Sequence, residues 1–335
     1  MQKYTRFRRP PVFLSYASVA GHEESRGPLG ALFDFHDETD RFGQNTWEKA
    51  EGEIGRCALN LALKKGRISP DEVDILFAGD LQNQCVASSG GLYSFGIPYL
   101  GLYGACSTCT EGLFSLATFL SGCDEYRIGG VVTTSHNCAA ERQFRLPLEY
   151  GGQRPPTAQW TATAGGAFLL SSDAKEKGGV RILGGMAGKI IDGQISDAAN
   201  MGAAMAPAAA DTLLSFFSSG AYTPRDFDAV VTGDLGRFGT RLLYELTSEQ
   251  GLSLEGIHID CGNLLYDDNA QDVHCGGSGC GCSASVLASF FLPRLARGEM
   301  KNLLFLSTGA LMSPSSIQQG EHIFGIAPLL HLSSE

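Results

Sequence analysis

Residues 69–81, SPDEVDILFAGDL, return at residues 223–235 as TPRDFDAVVTGDL. Pro, Asp, Gly, Asp and Leu hold the same offsets, and Ser/Thr and Glu/Asp exchange at two others. A helical stretch precedes each copy, 46–65 and 202–219, and each is followed by a glycine, Gly66 or Gly220, where a helix C-cap belongs. Further along, 112–120 leading into 128–133 parallels 285–295 leading into 303–307, a helix and then an apolar strand. A repeat unit holding several elements is a duplicated domain rather than a solenoid turn.

Within each copy, helical periods alternate with short apolar runs such as 75–78, 99–103 and 128–133, then 229–232, 257–259 and 303–306. That alternation predicts parallel βαβ units with helices on both sheet faces. Two such halves, residues 1–172 and 173–335, are expected to pack around a pseudo-twofold axis. Between the repeated segments, 141–161 (ERQFRLPLEYGGQRPPTAQWT) has no period and reads as a long ordered loop, a type that usually carries function.

The 335 residues, 43% hydrophobic and 18% charged, exclude disorder. Twenty-five Lys+Arg against 36 Asp+Glu give −11, a balance that repels nucleic acid. Both halves share the acidic excess, 14 basic against 18 acidic in 1–150 and 11 against 18 in 151–335. No run approaches the length of a transmembrane helix, and the basic N-terminus lacks the apolar core of a secretion signal. Lys3, Arg6, Arg8 and Arg9 could touch an anionic membrane surface or form a frayed arm. The ten cysteines read as reduced thiols.

Three segments could carry chemistry. Cys106, in GACSTCTEGL (104–113), sits where a strand turns into a helix, so unpaired N–H groups and the helix dipole would favour a thiolate. A small buried cysteine is the plain alternative. The Gly-rich run 272–283, DVHCGGSGCGCS, offers His274 as base or donor, or a turn where the halves touch. The loop region brings Arg142, Arg145 and Arg154, with His136 upstream and Gln159-Trp160 at its end. The three guanidiniums could form one anion site or pair with Glu141 and Glu149. Cysteine spacings do not match a zinc site, and no phosphate-binding or dinucleotide fingerprint occurs, so neither metal nor cofactor is expected.

A cysteine elbow in one half and a His-x-x-Gly segment (His274 to Gly277) in the other resemble the thiolase and ketoacyl-synthase superfamily. Together with AERQFRLPLEYGGQRPPTAQWT (140–161), GGSGCGCSA (276–284) and STGALMSP (307–314), they are similar to a sporulation family within it. The resemblance implies a thiolase-like αβαβα layering of the duplicated halves. It also implies binding of dipicolinic acid, alone or with calcium, by a peripheral subunit on the cytoplasmic side of the spore inner membrane. Partners would be the other subunits of the dipicolinate transport complex and, more weakly, a second copy. Site residues on this reading are Cys106, His136, Arg142, Arg145, Arg154, Gln159 and His274, with Trp160 or Phe144 against the pyridine ring. Cys106 is expected at a pocket base with His274 facing it. The superfamily's alternative is a condensing enzyme using Cys106. Yet Thr232-Gly233-Asp234 stand where such enzymes place an oxyanion-binding group, and an acid there opposes a developing negative charge.

Overall fold

The computed structural model describes residues 3–144, 154–173 and 179–334. Ten strands build its main sheet. The first half supplies Val12–Ala20 (β1), Ile75–Gly79 (β2), Tyr99–Gly101 (β3), Ile128–Ser135 (β4) and Ala164–Ser171 (β5). The second supplies Arg181–Met186 (β6), Ala229–Thr232 (β7), His258–Asp260 (β8), Asn302–Leu306 (β9) and Leu329–Ser333 (β10). Their order is β8-β7-β9-β10-β6-β1-β5-β4-β2-β3, with two short strands pairing beside this path. Outward from the β6–β1 junction, made by Val12 opposite Arg181, each half reads first, fifth, fourth, second, third. The duplication seen in the sequence is thus a duplication of topology.

The sheet is mixed rather than wholly parallel. β2 runs parallel to β3 and β4, as β7 does to β8 and β9. β5 and β10 run antiparallel to both their neighbours. The repeat SPDEVDILFAGDL therefore contains β2, and its partner contains β7. In both, Ser69 or Thr223 opens a proline-led turn closed by a capping box, which delivers the strand in the same register.

Helices of note are Trp47–Gly66 (α1), Val86–Leu92 (α2), Thr108–Gly122 (α3), Asn137–Phe144 (α4), Met201–Ser218 (α5), Gly236–Ser248 (α6) and Cys280–Val286 (α7). α7 continues through a widened turn, Leu287–Phe291, into Leu292–Ala296. Alternate residues of each strand face different layers, as the pleat requires. Leu76, Ala78 and Val132 pack with α1 on one outer face. Ile75, Phe77 and Val131 turn inward, where α3 and the α7 stretch also meet Val231, Leu303 and Phe305 of the second half. Val230, Leu304 and Leu306 face the other outer layer, built by α5 and α6. The result is the expected αβαβα stack.

The central layer is drawn close by missing side chains. A Cβ on Gly281 of α7 would lie 2.1 Å from the Ala164 carbonyl oxygen, and one on Gly166 would lie 2.6 Å from that of Ala284. α7 belongs to the second half but rests on β4 and β5 of the first.

Candidate functional site

β3 ends at Gly101, and a short turn, Ala105–Ser107, carries the chain into α3. Ala105 holds φ +52°, a left-handed conformation costly for a residue with a Cβ. The turn is tied by its own hydroxyls. Ser107 Oγ donates to the Gly104 carbonyl at 2.6 Å, and Thr108 Oγ1 donates to that of Ala105 at 2.6 Å. This elbow presents Cys106, 5% exposed, to a cavity of about 540 Å³.

Across from the sulfur stands Ser278, its Oγ 3.7 Å away. Ser278 Oγ donates to Asp234 Oδ2 at 3.0 Å, beside the Gly279 N–H at 2.9 Å, while Thr308 Oγ1 donates to Oδ1 at 2.7 Å. Asp234 is wholly buried, and burial raises its carboxyl to about 6 despite these donors. Burial first, and then the Asp234 charge, push the Cys106 thiol well above its ordinary range. The helix end behind the cysteine does not overcome these two effects. The floor therefore holds a neutral thiol, a hydroxyl and a carboxylate in a row.

The repeat explains Asp234. It is the counterpart of Asp80, also fully buried at the end of its strand. Asp80 accepts from Ser88 Oγ at 2.6 Å, from the Ser88 N–H at 2.7 Å and from the Gln82 N–H at 2.8 Å, fixing the start of α2. The same Gly-Asp-Leu is structural in one half and faces the cavity in the other.

The candidate residues divide on inspection. Arg154 lines the cavity, its side chain 10% exposed and its guanidinium 5.1 Å from the Trp160 ring centroid. Its Nη2 donates to the Asp272 carbonyl at 2.8 Å and to Asp272 Oδ2 at 2.9 Å. Its Nη1 is buried with no hydrogen-bond partner among the described residues. Phe144 and Glu141 of α4 line the cavity too. Gln159 lies just behind, where Nε2 donates to the carbonyls of Asp234 at 2.7 Å and Gly277 at 2.8 Å and so braces both floor segments.

The others lie elsewhere. His274 does not face Cys106, contrary to expectation. Its Nδ1 meets the Pro155 carbonyl at 2.8 Å and its Nε2 meets Asp272 Oδ1 at 3.0 Å. Positive φ at His274 (+51°) and Gly276 (+103°) turns the chain, so the place opposite the sulfur falls to Ser278. His136 is buried against Trp47, with Nε2 2.8 Å from the Asp40 carbonyl oxygen, and burial lowers its pKa. Arg142 pairs with Glu48 rather than entering the cavity. Arg145 lies outside the described residues.

Sequence reasoning missed Ser278, Glu141 and the apolar wall formed by Ala310, Leu311 and Met312 with Ala198, Ala199 and Met201. Ser278 lay inside the Gly-rich run, and the repeat offset was the available signal for a buried role of Asp234. Among the described residues, no group of three or more metal-ligating side chains is present.

Comparison with known proteins places this geometry. The sequence profile of the Stage V sporulation protein AD (SpoVAD) family matches residues 1–333. Stage V sporulation protein AD of Bacillus subtilis (strain 168) is 41% identical over 318 residues, spanning 95% of this chain and 93% of that one. Cerulenin-bound OleA of Xanthomonas campestris superposes with a TM-score of 0.63 at 13% identity, covering 98% of each chain. Acetamide-bound OleA of the same organism gives 0.62 at 13% identity, with 98% of this chain and 100% of that one covered. At such identities the likeness shows the fold alone.

Proposed function

The chain belongs to the stage V sporulation protein AD family, and we propose that it binds dipicolinic acid, alone or as its calcium chelate, in the cavity over Cys106. Arg154 carries this reading. A nearly buried guanidinium lines an otherwise largely apolar cavity and keeps its buried Nη1 without a partner among the described residues. A flat aromatic dianion needs just such a pairing of charge-assisted donors with apolar walls, and Arg matches a carboxylate edge. Phe144 offers a ring against the pyridine.

The floor supports binding over condensation. Asp234 places a carboxylate where a developing oxyanion would need a donor, and burial holds Cys106 as a thiol. No helix among the described residues is long and apolar enough to cross a membrane. In this reading the chain docks on the cytoplasmic side of the forespore inner membrane. There it loads ligand for the membrane subunits of the transport complex as the acid enters the spore and leaves at germination. Edge strand β3, with Tyr99 and Leu100 exposed, is the face available to a second copy.

Calorimetric titration with dipicolinate, with and without calcium, tests the proposal. Saturable binding lost in Arg154→Ala supports it, and no binding in either condition overturns it. Incubation with labelled acyl-CoA separates the two chemistries, since an adduct on Cys106 would favour acyl transfer.

A further inference from the structure

Asp272 is a fork. One carboxylate oxygen takes Nη2 of Arg154 at 2.9 Å, and the other meets Nε2 of His274 at 3.0 Å. The opposite ring nitrogen of His274 meets the Pro155 carbonyl oxygen at 2.8 Å. Both partners of the imidazole accept only, so both contacts are hydrogen bonds only when each nitrogen carries a proton. In the neutral ring, one lone pair would point at a carbonyl or a carboxylate.

We propose that Asp272 and His274 are positioning residues for Arg154: the carboxylate is shared between guanidinium and imidazolium, so the proton on His274 sets how much of the Arg154 charge is left for an anion in the cavity. The inference rests on the reading that the cavity takes an anion at Arg154. It explains the one-sided grip on the guanidinium. Both Nη2 contacts go to Asp272, through its main-chain and side-chain oxygens, while Nη1 stays unpartnered among the described residues. When His274 loses its proton, Asp272 acts on Arg154 alone and competes with an incoming carboxylate. Anion affinity should then be weaker with the imidazole neutral than with both ring nitrogens protonated. Among the described residues, the charged groups about the pair are Asp272 on its own segment, Arg154 across from it, and Glu141 in the cavity wall. Asp234 lies at the floor, behind Ser278.

The test uses the full chain with Trp47→Phe, which leaves Trp160, under the Arg154 guanidinium, as the only indole. Without ligand, Trp160 emission is followed from pH 5.5 to 8.5 in this protein and in added His274→Gln or Asp272→Asn. A step should appear in the parent beyond any change that both variants share with it, which belongs to groups such as Asp234, with melting temperatures unchanged. Dipicolinate affinity should be roughly threefold tighter at pH 6 than at pH 8 relative to the same ratio in His274→Gln, the scale of a partly exposed ion pair. Using the ratio removes the contribution of Asp234. The inference falls if the parent shows no step beyond the change it shares with His274→Gln, if Asp272→Asn keeps that extra step, or if the affinity ratios agree. Normal dipicolinate binding by Arg154→Ala would instead overturn the anion-site reading, and the ligand-free step would still decide the coupling.

Discussion

Replacing Asp234 by Asn removes a buried charge while keeping the side chain's shape. Turned so that Oδ1 accepts from Ser278 and the Gly279 N–H, the amide can donate Nδ2 to Thr308 Oγ1, so the local bonds have an alternative arrangement. The two legs, 3.7 Å from sulfur to hydroxyl and 3.0 Å from hydroxyl to carboxylate, hold that carboxylate oxygen no more than 6.7 Å from the Cys106 sulfur. At an effective dielectric of about 20, unit charges at that distance repel by about 2.5 kcal/mol, or a factor of about 60 in thiolate population. Burial of the sulfur is untouched, so the thiol stays above its ordinary range in the variant. Site-resolved mass spectrometry of iodoacetamide labelling at pH 8 should therefore show Cys106 reacting at least about tenfold faster in Asp234→Asn, with Cys57, Cys123 and Cys138 as internal standards. Below pH 6, where Asp234 takes up its proton, the two proteins should converge. Equal rates at pH 8 in two folded proteins would refute the claim that the Asp234 charge holds Cys106 as a thiol.

Arg154→Ala should weaken dipicolinate binding by about 1.5–3 kcal/mol in calorimetry, whereas Arg142→Ala, whose guanidinium pairs with Glu48 outside the cavity, should leave it unchanged. Glu24 is fully buried and raised from 4.5 to about 7, chiefly by burial, with the Tyr266 hydroxyl and the Thr163 N–H bonded to Oε1. An acid raised in the folded state makes the fold prefer its proton, so its cost is absent below pH 4.5 and complete above pH 7. The stability of Glu24→Gln relative to the parent should therefore rise by about 3 kcal/mol between pH 4 and pH 8 in urea unfolding. Gly281→Ala forces α7 off the Ala164 carbonyl and should cost about 1–3 kcal/mol, read as a fall of a few degrees in melting temperature. No change would mean that the central layer has room to spare.

The duplicated fold was legible because Ser69–Leu81 and Thr223–Leu235 carry strand, cap and turn chemistry in the same order. Cys106 was legible because a strand, a turn and a helix can be read within ten residues. The antiparallel course of β5 was not, since an apolar run such as Ala164–Ser171 carries no mark of direction and its partners lie far along the chain. Arg142 misled for a local reason. Segment 141–161 looked like loop, but its start extends the helix Asn137–Phe144. Helical spacing puts Ala140 and Phe144, four apart, on the cavity side and swings Arg142 away from it. His274 misled through two left-handed residues that redirect the chain, a feature composition alone does not announce.

The way α7 lies on β4 and β5 also bears on how the chain is born. During synthesis the first half's sheet is complete at Ser171, but α7, which shares its inner face with α3, begins only at Cys280. At roughly 5–20 residues per second the ribosome needs about 5–20 s to supply it. For that interval the core that holds Phe77, Val131 and Phe168 lacks the α7 stretch, Ala284 to Leu295, that completes it. A nascent chain in this state presents a sticky surface that a holding chaperone would recognise. A first half expressed alone would keep that surface for good and should be recovered in soluble form only when the second half is made beside it.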